Sequence, residues 1–240
     1  MAVAKTSGVC RTRRASSGAV RRASAGQGAF ARKLASWYKK AGRDFPWRSA
    51  TDPFAIAVAE ILLRKTRAAD VLPVYARLLL RYPTARAMAG ARPSALRRLI
   101  DPLGLRSRAE MLVALSRSLV RQHSGAVPAD EALLRRLPGI GRYAASAILC
   151  FGFGRPRAIV DSSIGRLVRR LRGIDARGPA YLDERLWRAA AAMLPKSRHR
   201  AKLHNYAMLD LAALVCTRAH PECRTCPVGA YCRGYRGRTT

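Results

Sequence analysis

Apolar residues recur three and four positions apart along most of the chain, the spacing that gathers them on one face of an α-helix. The pattern is clearest in Phe54–Leu63, Val71–Leu80, Met111–Val120, Ala144–Phe153, Ile164–Leu171, Leu186–Leu194 and Tyr206–Val215. Period-two alternation, the mark of a half-buried strand, is nearly absent. Breaks fall at Pro46, Pro53, Pro83, Pro93, Gly104, Pro128, Pro138-Gly139, Gly173, Pro179 and Pro195. Asp52-Pro53 reads as a helix start, with Asp as N-cap and Pro in the first turn. The pattern predicts an all-α protein of about ten helices. Two lobes are expected, because helices before and after the middle of the chain each need a partner face.

The chain has 240 residues, 49% apolar and 25% charged, a composition that suits a folded domain with a sizeable core. No apolar run reaches the roughly 18 residues of a membrane span. The longest, Tyr143 to Gly154, contains Gly and Ser and reads as core. Charge changes the picture more. Lys and Arg number 46 against 14 Asp and Glu, a net charge of +32, and 39 of the 46 are Arg. A field this positive suits a polyanion, nucleic acid first; an anionic membrane surface is the weaker alternative. Residues 1–28 carry Lys5, Arg11, Arg13, Arg14, Arg21 and Arg22, no acid, and many Ser, Ala and Gly. That is the composition of a disordered basic tail, and also of an organelle transit peptide. No apolar segment suits a secretory signal, so a reducing, cytoplasmic setting is expected.

Three features carry candidate chemistry. Cys216, Cys223, Cys226 and Cys232 form C-x6-C-x2-C-x5-C. Four thiolates at such spacing can wrap one metal centre, a tetrahedral zinc or an iron–sulfur cluster. Two disulfides are disfavoured in a reducing compartment. Cys10 and Cys150 read as plain thiols. Next, Leu137-Pro138-Gly139-Ile140-Gly141-Arg142-Tyr143 lies between helical stretches Asp130–Arg136 and Arg142–Phe153. It reads as helix, tight hairpin, helix. Gly139 and Gly141 let the backbone approach a ligand, and the amides of Gly139, Gly141 and Arg142 open a helix whose N-terminus favours a phosphate. Last, three acids sit in apolar stretches: Glu60, Asp161 and Asp210. A buried carboxylate is costly unless paired or useful, and an ion pair with one of the many arginines is the plain reading for each. Asp161 stands out because it follows a short apolar run at a helix start, about twenty residues past the hairpin.

Hairpin, Asp161 and cysteine spacing together resemble the helix–hairpin–helix, Gly-Pro-Asp superfamily of DNA glycosylases, in its endonuclease III and adenine glycosylase branch. Further matching segments are Phe45-Pro46-Trp47-Arg48, Asp52-Pro53-Phe54, Glu60 to Thr66, Gly104-Leu105, Arg108-Ala109-Glu110, Val160-Asp161 and Met208-Leu209-Asp210-Leu211. The resemblance implies two all-α lobes with duplex DNA in the cleft between them. A central lobe would span residues 54–160, with the hairpin at 131–153. The second lobe would combine 29–53 with 161–215, and a cluster loop 216–232 would carry a [4Fe–4S] cluster on the four cysteines. It also implies catalytic roles for Asp161, Glu60 and Tyr143, and DNA contacts for Arg64, Lys65, Thr66, Leu105, Gly139, Gly141 and Arg142.

The subfamily turns on Tyr143. Bifunctional relatives carry lysine there, which attacks C1′ to make a Schiff base, and this chain has no lysine between Lys65 and Lys196. Glu60 to Thr66 with Tyr143 resembles the enzymes that remove thymine or uracil opposite guanine. Adenine glycosylases share Glu60 but usually add a C-terminal domain, and only eight residues follow Cys232. The expected partner is double-stranded DNA with a mismatched or damaged base, no membrane, and the chain acting as a monomer. The alternatives are an adenine glycosylase and a non-catalytic DNA-binding relative. Two departures from the family pattern stand: the loop before Arg108 is one residue shorter, and Ser163 replaces a frequent Asn.

Overall fold

The computed structural model describes residues 17–104, 107–175 and 177–236. Among them every regular element is helical. The chain opens with α1 (Ser17–Ala41) and the single turn α2 (Pro46–Ser49). Seven helices follow: α3 (Pro53–Leu62), α4 (Ala68–Arg81), α5 (Ala85–Ala89), α6 (Pro93–Ile100), α7 (Ser107–His123), α8 (Glu131–Arg136) and α9 (Arg142–Phe151). Then come α10 (Ser162–Arg172), α11 (Glu184–Met193), α12 (Arg198–Leu214) and α13 (Arg233–Arg236).

Packing divides these helices into two lobes. In one, α3 packs on α4, α7 and α9, while α7 holds α5 and α6. In the other, α12 packs on α1 and α10, and α10 holds α11 and α13. Contact between α9 and α12 joins the lobes, and within the second lobe the chain's first helix closes against its last long one.

Local chemistry explains where the helices begin. Asp52 caps α3, its carboxylate accepting from the amides of Phe54 at 3.0 Å and Ala55 at 3.3 Å. Asp130 caps α8 through the Leu133 amide at 2.9 Å, and Asp161 caps α10 through the Ile164 amide at 2.7 Å. Each cap satisfies amides that no intrahelical carbonyl can reach. α3 is apolar almost all round, with Phe54 to Ala59, Ile61 and Leu62 buried. A helix without a polar face belongs in the middle of a molecule, and α3 takes that place.

One boundary differs from the sequence expectation. The tail expected over residues 1–28 ends earlier, because α1 is already helical from Ser17; residues 1–16 lie outside the described part. Phe30 and Leu34 anchor α1 in the core. Once that nucleus exists, adding residues towards the N-terminus incurs no further nucleation penalty.

Candidate active site

Glu60 is the one charged residue in the sequence of α3. Tyr143 sits in the first turn of α9 and Asp161 directly before α10. The fold brings all three to one cleft of about 730 Å³. Its other walls come from distant parts of the chain, among them Trp47, Arg48, Phe151, Tyr206 and Leu209.

The cleft separates its two carboxylates electrically. Burial pushes the Glu60 carboxyl up to about 8, the neighbouring Asp161 pushes the same way, and Arg64 offsets part of it. Glu60 is therefore largely protonated at neutral pH. Burial raises Asp161 as well, but the amides of Ile164 and Ser163 and the Arg166 guanidinium oppose the rise. Asp161 also sits at the positive end of the α10 dipole, which favours its anion. A carboxyl that keeps its proton can act as a donor, and one that accepts amide hydrogen bonds can act as a fixed negative charge. The Tyr143 phenol is held well above its ordinary range by burial and by both carboxyls, so it stays neutral.

The residues expected at DNA are placed less uniformly. Gly139 and Gly141 form the hairpin before α9, and Gly139 adopts φ +80°. Gly141 is exposed, and a Cβ there would meet nothing within 4 Å, so the backbone is open to a ligand. Lys65 is exposed, in a left-handed conformation with φ 51°. Arg64, although exposed, is tied down: its guanidinium donates to the Gly139 carbonyl and lies 3.4 Å from Met111 Sδ. The Thr66 hydroxyl faces its own turn, donating to the Arg64 carbonyl at 3.2 Å and accepting from Arg108 Nη2 at 2.6 Å. Arg142 turns its guanidinium to Glu184 and the ring of Trp187. Leu105 lies outside the described residues.

All four C-terminal cysteines are free thiols and line a single cavity. Arg170 Nη1 donates to Cys216 Sγ at 3.3 Å, and Cys232 Sγ lies 3.4 Å from the Arg170 carbonyl oxygen. Burial pushes the Cys226 thiol up, and Cys216, Cys232 and Cys223 add to the rise, as expected of sulfurs sharing one surrounding. Among the described residues no three His, Cys, Asp or Glu side chains converge closely enough to hold a single metal ion.

Sequence reasoning left out several residues that build this site. Arg48 is stacked 5.2 Å from the Phe45 ring centroid and 4.9 Å from that of Tyr206. It grips the buried Asp210 with two bonds, of 2.7 and 2.8 Å, and Arg43 adds bonds of 2.8 Å from its backbone amide and Nε. Asp210 is thus the structural ion pair that the plain reading supposed. Arg108 is only 3% exposed and fixes the turn at Arg64–Thr66. No local pattern marks these roles, because each depends on partners more than forty residues away.

Comparison with known proteins agrees with this geometry. The model of the HhH-GPD superfamily of base excision DNA repair proteins matches residues 58–192. A thymine-DNA glycosylase of Aeropyrum pernix is 40% identical over 86% of this chain and 94% of its own length. A thymine/uracil-DNA glycosylase of Pyrobaculum aerophilum is 39% identical over 83% of this chain and 88% of its own. Among solved structures, a thermostable thymine-DNA glycosylase superposes with a TM-score of 0.83, 29% identity, and coverage of 91% of this chain and 99% of that one. Helices, hairpin and relatives agree, and the chain belongs to the HhH-GPD superfamily of base excision DNA repair proteins.

Proposed function

We propose that this protein is a monofunctional DNA glycosylase that removes thymine or uracil mispaired with guanine and leaves an abasic site. The observation that carries the reading is the meeting of Glu60, Tyr143 and Asp161 in one cleft, beside a hairpin suited to hold a phosphate. The names of the similar proteins point the same way.

A base inside a duplex is out of reach, so the target nucleotide must be flipped into the cleft, and a mispair opens more cheaply than a matched pair. The net charge of +32 and the amides opening α9 draw in the phosphate backbone. Breaking the glycosidic bond puts positive charge on the sugar. The Asp161 carboxylate is the fixed negative charge that stabilises it and aligns the attacking water. Glu60, protonated at neutral pH, donates a hydrogen bond to the base as it leaves with the bonding electrons. Tyr143 contacts the flipped base. A neutral phenol cannot form the iminium that a lysine would, so reaction stops at the abasic site.

Cys216, Cys223, Cys226 and Cys232 are the residues that would hold a [4Fe–4S] cluster. The donor set fits such a cluster, since all four cysteines line one cavity and thiolates are the usual ligands of iron–sulfur centres. Bound there, the cluster would clamp the 216–232 loop and orient its arginines. Purified protein should be brown, with about four irons per chain; one zinc per colourless chain refutes this assignment.

The deciding experiment incubates the protein with duplexes carrying G·T, G·U, A·8-oxoguanine or thymine glycol. Expected are breaks at G·T and G·U only after alkali, and no adduct trapped by borohydride. Release of adenine opposite 8-oxoguanine would overturn the substrate, efficient trapping the monofunctional reading, and absence of any release the enzyme itself.

A further inference from the structure

Arg142 stands immediately after the hairpin, at the first residue of α9, where a cation would be expected to meet phosphate. Its guanidinium is turned to the other lobe instead. Nη1 and Nη2 donate to the two carboxylate oxygens of Glu184, Nη2 at 3.1 Å. The centre of the guanidinium lies 4.0 Å from the ring centroid of Trp187. Trp187 is only 6% exposed, and its indole N–H donates to the Tyr181 carbonyl at 2.9 Å. The ring is therefore a fixed platform. Glu184 is committed too, since the hydrogen bond from Arg142 holds its carboxyl below the usual range. The carboxylate and the ring thus occupy one edge and one face of this cation.

The contact joins the first turn of α9 to the first turn of α11. Arg64, just past the end of α3, braces the hairpin through the Gly139 carbonyl. We infer that Arg142 is a positioning residue: it locks the hairpin against the second lobe, so that backbone amides meet the phosphate, and does not itself ligate DNA. The inference rests on the DNA-gripping role of the hairpin. Lysine could not replace arginine here, because it lacks the fork for Glu184 and the flat face for Trp187.

The test compares wild type with Arg142→Ala, Arg142→Lys and Glu184→Gln. Affinity for an undamaged and a G·T duplex is measured from about 50 to about 200 mM salt, with melting temperature as the control for folding. All three variants should lose affinity by a similar factor, roughly three- to tenfold, with the salt slope unchanged. Arg142→Lys should do no better than Arg142→Ala, and adding Glu184→Gln to Arg142→Ala should cost nothing more. A phosphate ligand behaves oppositely. Arg142→Ala would then shallow the log–log slope by about 0.9, Arg142→Lys would restore binding, and Glu184→Gln would bind DNA as well as wild type or better. Any of these three results overturns the inference, as does a fall in melting temperature with affinity of the folded protein unchanged. Base release by wild type is read separately, so a wrong substrate leaves the affinity comparison intact.

Discussion

Asp161 holds two roles in one side chain. Its Oδ1 caps α10 through the Ile164 amide at 2.7 Å, and it faces the cleft. Asparagine retains the cap but not the charge. Asp161→Asn should lose at least about a hundredfold in base release while keeping its melting temperature and its affinity for a G·T duplex. Near-normal release would remove Asp161 from the chemistry. Glu60 makes a prediction about pH. Unfolded, its carboxyl titrates at 4.5; folded, burial raises it to about 8. Between those values the native state keeps a proton that the unfolded chain has released, so stability falls as pH rises through the window. Glu60→Gln removes that loss. Its melting temperature, compared with wild type, should gain steadily from about pH 5 to about pH 8. A constant difference would mean that the carboxyl is not desolvated.

Among the elements, the hairpin is the most constrained. Gly139 has φ +80°, and a Cβ there would come within 2.6 Å of Met111 Sδ and Cγ. Both the backbone and the space select glycine. Gly139→Ala should cost about 1–3 kcal/mol in stability and weaken DNA binding together with it, measured by thermal melting and titration of a duplex. Unchanged affinity would separate the hairpin from the DNA surface. At this scale much was legible in the sequence. Apolar residues three and four positions apart located the helices, and Asp52, Asp130 and Asp161 announced their starts, because capping and periodicity act within one or two turns. The start of α1 was not legible, since its N-terminal turns follow from an anchor at Phe30 and Leu34 that only packing supplies.

At the scale of the whole molecule, Asp210 ties the start of the chain to its end within the second lobe. It is fully buried, yet hydrogen bonds from Arg48 and Arg43 outweigh the effect of burial and hold its carboxyl below the usual range. Arg43 and Arg48 lie near the start of the chain and Asp210 near its end. Asp210→Ala would leave two arginines facing each other without a counter-charge, at a cost of about 3–5 kcal/mol. A chemical-denaturation midpoint close to wild type would refute that role. By itself the sequence determined the helices, the hairpin, the candidate Asp161 and the four cysteines, because these are set by local spacing and side-chain chemistry. Only the tertiary structure decided which charges are spent and which are free. Arg64 and Arg142 look like DNA contacts in a chain of net charge +32, but their guanidinium groups are engaged by Gly139 and Glu184. It likewise set Glu60 apart from Asp161, because a carboxyl's proton affinity depends on the water removed and the charges brought near, and both come from segments far apart in the chain.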